Sequence, residues 1–412
     1  MILSYSVKNF YSIGENGASV NFAVNGNAPK TYLYVDAGDI AGRISLVETV
    51  IGANASGKTQ LLKGLAFLHH MITSSYQEHP NAPMSTLFSA HMGLPNTPSE
   101  ASVCFAISGR VFEYTLAFDK EKILGEELKE RSETNERVTA KTIASRKWSD
   151  KDGKYTYIDK ALGINNINEL RRNATMIASA MQKEVPADIA KLISDYWSDC
   201  VVVHNLWVDG NREDSDAGNI LLRNKLKELL GTKNTALKDQ VRDILQKYDL
   251  GFNDFSKQVV KIPGSEDVSI YLITHKFKGY DEFAIRAEME SSGTKRLIST
   301  LASVVSALLV ENSGIAIIDE IDAFMHPDIV EAIVDLFVYP ETNPNKAQLL
   351  FSTHNHRILE SCDKQQITLT EKNEEGKTES WRLDEVEGVK STDNYYTKYI
   401  SGAYGARPKI GV

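Results

Sequence analysis

Residues 52–59 read Gly52-Ala53-Asn54-Ala55-Ser56-Gly57-Lys58-Thr59, two glycines with four residues between them, followed by a lysine and a hydroxyl. The glycines let the backbone turn tightly enough for the N–H groups of Asn54, Ala55, Ser56, Gly57, Lys58, Thr59 and Gln60 to converge on an anion. A helix opening directly after the turn adds its positive dipole end. Lys58 is placed to reach β- and γ-phosphates, and the Thr59 hydroxyl to ligate Mg²⁺. The pattern predicts a site for a nucleoside triphosphate, against the alternative of an ordinary glycine-rich turn between a strand and a helix.

A second group of residues supplies the rest of such a site. Ile315-Ala316-Ile317-Ile318 is an apolar run ending in Asp319 and Glu320. A central parallel strand is apolar on both faces and delivers its functional side chains at its carboxyl end. Asp319 would hold Mg²⁺, directly or through water, and Glu320 would act as general base on the attacking water. Leu349-Leu350-Phe351-Ser352-Thr353 is another apolar run, ending in His354, which is placed to hydrogen-bond a γ-phosphate or the lytic water. His356 is the weaker candidate. Ser291-Ser292-Gly293 precedes an apolar stretch, residues 297–310, and reads either as a simple N-cap or as a second anion site at a helix start. One phosphate loop already serves the chain's own nucleotide, so Ser292 and Gly293 make most sense facing the nucleotide of a neighbouring subunit.

Positioning these groups requires a strand before residue 52 and a helix after it. Residues 45–51 suit the buried strand; Leu61, Leu62, Leu65 and Leu68 have helical spacing. Further strands are expected at residues 2–8, 19–24, 102–107, 111–118, 155–158, 258–262, 268–275 and 283–288, with Ser108-Gly109 as a tight turn. Residues 74–99 hold four prolines and read as an exposed polar loop. The charged span 120–154 reads as a solvated hairpin edge, favoured over a nucleic-acid contact, and residues 165–250 as helical. In the latter, Leu237, Val241, Ile244, Leu245 and Tyr248 line one helix face. A helix at 328–337 should follow His326-Pro327, since proline suits a first helical turn. The expected division is 1–73 with the phosphate loop, an arm or insertion at 74–280, a second ATPase segment at 281–385 and a tail at 386–412.

The chain has 412 residues, 42% hydrophobic and 25% charged, with a net charge of −9, which disfavours a broadly basic nucleic-acid surface. Cys104, Cys200 and Cys362 are widely spaced, which disfavours structural zinc or a disulfide framework and suits a reducing cytoplasm. Residues 1–8 show strand-like alternation instead of a signal peptide. The run 297–310 is too short and too interrupted by hydroxyl residues to span a membrane.

The order of phosphate loop, signature, Asp-Glu strand and histidine resembles an ABC-type ATPase head. Val7-Lys8-Asn9-Phe10-Tyr11-Ser12-Ile13 resembles the first-strand element of the SMC and RecF branch, and Asp319-Glu320-Ile321-Asp322-Ala323 resembles its Walker B and D-loop. The chain is most similar to the stand-alone RloA/AbiL-like ATPases of phage-defence operons, of the AAA_15/AAA_21 class, which are related to the ATPase domains of OLD proteins. The likeness rests on residues 291–297, 319–327 and 343–354, and on the tail at 399–408. It is loose in the middle of the chain. Two positions depart from pattern: Thr294-Lys295 replaces the Gly-Gln of a transporter signature, and Ala403 stands where the tail often has arginine.

The resemblance implies an α/β fold, an ABC-type P-loop head with a mixed β lobe, a RecA-like lobe and a largely helical insertion. It implies ATP and Mg²⁺ as cofactors and ATP hydrolysis as the reaction. It also implies Ser292 and Gly293 contacting a γ-phosphate across a dimer interface, and Asp322 acting in the D-loop. The implied role is a cytoplasmic sensor or scaffold in antiviral defence, at least a homodimer or a larger assembly. Its partners would be a phage trigger protein and a separately encoded effector, an RloB-like or Toprim-like nuclease or toxin, with no membrane partner. The alternative is a RecF- or SMC-like DNA-binding repair ATPase, the less favoured reading for so acidic a chain. A nuclease in the same chain is disfavoured because the 58 residues after His354 are too few for a Toprim domain.

Overall fold

The computed structural model describes residues 1–26, 31, 33–134, 137–204, 206, 217–231, 235–248, 251–261 and 267–408. The first elements in chain order are β1 (Ile2–Lys8), β2 (Ala18–Asn21), β3 (Tyr34–Asp36), β4 (Arg43–Ser45), β5 (Val47–Gly52) and α1 (Lys58–Thr73). Then come β6 (Ser99–Ile107), β7 (Arg110–Phe118), β8 (Ile123–Thr134), β9 (Arg137–Ser149), β10 (Lys154–Asp159), α2 (Met176–Ala180), α3 (Asp188–Cys200) and β11 (Val201–His204). Next are α4 (Ala217–Leu229), α5 (Thr235–Lys247), β12 (Phe252–Val260), β13 (Val268–His275), β14 (Phe283–Arg286), α6 (Ser292–Leu309) and β15 (Ile315–Ile318). The last are α7 (Pro327–Val338), β16 (Gln348–Ser352), β17 (Ile367–Lys372), β18 (Thr378–Arg382) and α8 (Tyr395–Ile400).

Two large sheets organise most of these elements, beside a three-stranded sheet β12-β13-β14 and the pair β3-β4. The first large sheet is antiparallel, in the order β10-β9-β8-β7-β6-β1-β2. The second has the order β11-β15-β16-β5-β17-β18 and is parallel except for β18. Strands β5, β15 and β16 are buried along their whole length, as parallel strands covered on both faces must be. Their alternation sends side chains into two different cores. Ile315, Ile317, Leu350 and Val50 join the core around α1 and the antiparallel sheet, while Ala316, Ile318, Leu349 and Phe351 join the one around α6 and α7. Helix α1 packs on both sheets, and Gly64 permits this: a Cβ there would lie 2.7 Å from Val7 Cγ1. The expected α/β ATPase-head architecture, with a mixed β lobe beside a parallel-sheet lobe, is the observed one.

Several local expectations need correction. Residues 74–99 are not simply an exposed loop: Ser75, Met84 and Phe88 are buried, Phe88 among Phe10, Phe67 and Phe118. Asn9 ties the same loop down by donating to the carbonyls of Leu94 and Thr97. The proline content set the backbone shape without deciding burial. The span 120–154 does form a long hairpin, β8 and β9, yet it hides an ion pair. Arg146 Nε donates to Glu126 Oε2 at 2.8 Å with both side chains buried, and Glu126 also accepts from Tyr114 Oη and the backbone N–H of Met176. Such a pair is tolerated inside because its remaining donors and acceptors are satisfied. Within the expected helical region, Val201-Val202-Val203-His204 is a strand on the edge of the parallel sheet, consistent with its β-branched run.

The span 74–280 is distributed over the molecule. Strands β6–β10 extend the sheet begun by β1 and β2, β11 joins the parallel sheet, and α4 and α5 pack on α6. Helix α5 buries Leu237, Val241 and Leu245 as their spacing predicts. Ile262, the end of one expected strand, lies outside the described residues. Turn residues Ser108 and Gly109 have φ of 50° and 76°, the left-handed pair that a two-residue hairpin requires. The three cysteines are buried and free. Among the described residues, no helix is long and apolar enough to cross a membrane.

Candidate nucleotide-binding site

Strand β5 ends at Gly52 and α1 begins at Lys58, so the loop between them sits at the carboxyl edge of the parallel sheet. Gly57 is the N-cap of α1 with φ 108°, and a Cβ there would fall 2.1 Å from Thr378 Oγ1. Only glycine meets both conditions. Gly52 is equally constrained, since its Cβ would lie 2.3 Å from the Thr370 carbonyl oxygen. Among the described residues no side chain caps α1, and no acidic residue occupies its first turn. The helix end therefore presents its N–H groups and dipole without a capping side chain or an acid of its own first turn.

The loop is braced from behind. Ser56 Oγ lies 2.7 Å from Thr370 Oγ1 on β17, and Thr378 Oγ1 on β18 donates to the Ser56 carbonyl at 2.9 Å. The C-terminal tail reaches it as well: Ala53 N–H donates to the Ala406 carbonyl at 3.1 Å, and Tyr399 Oη to the same oxygen at 2.9 Å. Lys58 Nζ donates to the carbonyls of Gly52 and Ala53, at 2.9 and 3.0 Å. Burial lowers the pKa of this ammonium, and Asp319, Glu320 and Asp322 oppose that shift.

Sheet order brings the acids to this loop. Strand β16 lies between β15 and β5, with Ile318 opposite Phe351 and Ser352 opposite Val50. Asp319 thus comes beside Ser352, whose Oγ donates to Asp319 Oδ1 at 2.5 Å. The other oxygen, Asp319 Oδ2, accepts from Thr59 Oγ1 at 2.8 Å. Glu320 has φ 48°, and its N–H donates to Ser352 Oγ at 2.8 Å. Its carboxylate is exposed, 3.9 Å from His354 Nε2. The backbone N–H of His354 donates to both oxygens of Asp322, at 3.1 and 3.2 Å. His356 lies against Tyr399 with the rings tilted and their centroids 4.8 Å apart, and burial, followed by His354 and Lys58, lowers its pKa.

The residues expected to act together therefore do meet: Thr59, Asp319, Glu320 and His354 share one mouth with Lys58. Ser291 caps α6, accepting from Thr294 N–H at 3.1 Å, and Ser292 is exposed in the first turn. Gly293 comes against the segment after the two acids, where a Cβ would be 2.8 Å from the Phe324 carbonyl. Arg296, one turn further on, donates to the carbonyls of Asp319 and Glu320. Sequence reasoning missed Ser352, Arg296, Thr370 and Thr378. A hydroxyl following an apolar strand run was the only visible hint of Ser352.

The profile of one family matches residues 49–360 of the 412, from within β5 to beyond His354, and so includes the phosphate loop, Ser292-Gly293, the two acids and His354, but neither residues 7–13 nor the tail. The chain belongs to the AAA_21 family. That family is described as an AAA domain, putative AbiEii toxin, of a type IV toxin–antitoxin system. No curated protein matches the chain in sequence. Among solved structures, this AAA_21 member is similar to the SmcHead bound to the C-winged helix domain of ScpA. The two are 16% identical, with a TM-score of 0.48, over 94% of this chain and 99% of that one.

Proposed function

We propose that the chain is a Mg²⁺-dependent ATPase that serves as the sensor or scaffold of an antiviral system and controls a separately encoded toxic effector. The observation that carries the ATPase part is the Thr59–Asp319 hydrogen bond, which joins the phosphate loop to the acid at the end of β15. The residues fit the cofactor. An uncapped α1 terminus and a glycine cradle suit phosphates, while Thr59 and Asp319 offer the one or two oxygen ligands that Mg²⁺ takes alongside water and phosphate. Bound Mg²⁺ would supply charge neutralisation at the phosphates. In this reading Lys58 holds the phosphates, Glu320 accepts the proton of the attacking water, and His354 senses the γ-phosphate or the water. Ser292 and Gly293 face the nucleotide of a second copy, so that two chains enclose two ATP molecules.

The defence role is supported by the family's description, which places its members with toxin–antitoxin systems. That description names a toxin, whereas we assign the toxic step to another chain because the motifs of this one are accounted for by the nucleotide site. Expression decides between these. Produced alone, the chain should leave growth unaffected and nucleic acid intact while hydrolysing ATP. Growth arrest or nuclease activity from the single chain, removed by a point mutation within it, would make the chain itself the toxin.

A further inference from the structure

Glu320 occupies a backbone conformation that side chains avoid, with φ 48°, and its carboxylate is half exposed with His354 Nε2 at 3.9 Å. Its aim is therefore set by what holds the backbone on either side of its Cα. On one side the Glu320 N–H donates to Ser352 Oγ at 2.8 Å, and that hydroxyl donates onward to Asp319 Oδ1. On the other side Arg296 Nη2 donates to the Glu320 carbonyl at 2.9 Å and to the Asp319 carbonyl at 2.7 Å. Two carbonyls, rather than a carboxylate, receive this guanidinium. Burial lowers its pKa and the neighbouring acids Asp319, Glu320 and Asp322 oppose that, but an arginine stays charged at any working pH.

Arg296 stands on α6 four residues after Ser292, on the same helical face and one turn in. Gly293, in the same first turn, is already in close contact with Phe324 of the segment that follows Glu320. The start of α6 and the end of β15 are thus joined by two direct connections.

We infer that Arg296 is a positioning residue that fixes the pose of Glu320 and couples it to the Ser292-Gly293 end of α6. The inference rests on the reading of Glu320 as the base. A phosphate seated at the start of α6 moves or locks the helix, and Arg296 carries that change to the Asp319-Glu320 carbonyls. The base is then aligned only when the signature end is engaged. Loss of Arg296 leaves the phosphate loop and its ammonium untouched, so nucleotide affinity persists while turnover falls.

The test is a double-mutant cycle in the full chain, reading ATP affinity and turnover for Arg296→Ala, Glu320→Gln and the combination. Arg296→Ala should slow turnover roughly 10- to 100-fold, the scale of a small misplacement of a reacting group, while ATP affinity stays within about threefold. In the Glu320→Gln background the same change should have under about a twofold effect, because the group it aims is gone. Arg296→Lys should restore turnover in part, since an ammonium still donates to a carbonyl. If Arg296→Ala does not fold, the lysine variant carries the cycle. If Glu320→Gln slows turnover and the Arg296 loss multiplies with it, Arg296 acts independently and the inference is overturned. If Glu320→Gln turns over as wild type does, the reading of the base itself falls, and the inference with it.

Discussion

Thr59 and Asp319, 260 residues apart in the chain, meet through a 2.8 Å hydrogen bond from the threonine hydroxyl to one carboxylate oxygen. The other oxygen of Asp319 is held by Ser352 on the strand between them. The ends of β15 and β16 and the first turn of α1 thus converge on a single acid. A divalent cation inserted between Thr59 and Asp319 exchanges that hydrogen bond for two metal–oxygen contacts, which needs little rearrangement.

Replacing Lys58 by alanine should abolish nucleotide binding or reduce turnover to background. The ammonium now bridging the Gly52 and Ala53 carbonyls belongs to the loop itself, and alanine leaves the loop without it. Isothermal titration and a phosphate-release assay check this. Wild-type affinity and turnover together would remove Lys58 from the site.

Ser292→Arg should block turnover without loss of ATP binding in its own subunit, because Ser292 is exposed at the start of α6 while the phosphate loop is built elsewhere. Mixing Ser292→Arg chains with Lys58→Ala chains should restore activity, each mixed pair holding one intact composite site. Analytical ultracentrifugation with ATP should show at least a dimer. A chain that stays monomeric and fully active at every concentration contradicts the shared-site arrangement.

The phosphate-loop strand also carries a buried acid that should shape the pH dependence of stability. Glu48 on β5 is fully buried, accepts from Thr368 Oγ1 at 2.7 Å, and is pushed by burial from 4.5 up to about 8. Between these values the folded chain keeps a proton that the unfolded chain releases. This contribution to stability is therefore whole below about pH 4.5, declines as pH rises, and is lost above about pH 8. The slope is at most ~1.4 kcal/mol per pH unit. Urea denaturation from pH 5 to 8 should show Glu48→Gln gaining on the wild type as pH rises. Parallel curves for the two proteins would exclude a raised Glu48.

Motif spacing in the sequence singled out the loop, the two acids and His354 as candidates because each lies at the carboxyl end of an apolar run, where local pattern and chemistry coincide. Strand β1 falls at residues 2–8 as its alternation implies, and α7, Pro327–Val338, is one residue longer at each end than the helix expected at 328–337. Ser352 and Arg296 were hidden for a different reason. Their roles depend on β16 lying between β15 and β5 and on α6 crossing the end of β15, and no periodicity encodes such neighbours. Glu126 and Arg146 illustrate the same limit, since two charges on a charged hairpin give no sign that they face inward. The span 74–280 showed its strands locally, but strand signals do not name the sheet they join.

The most direct test of the account is Mg²⁺-dependent ATP hydrolysis by the wild-type chain and by Glu320→Gln, measured with ATP affinity on the same preparations. The account predicts hydrolysis by the wild type that stops when Mg²⁺ is chelated. It also predicts a variant that binds ATP normally yet turns over roughly 10²- to 10⁴-fold more slowly, the usual contribution of a positioned base. Absence of Mg²⁺-dependent hydrolysis in the wild type, or a Glu320→Gln chain as fast as the wild type, would contradict it.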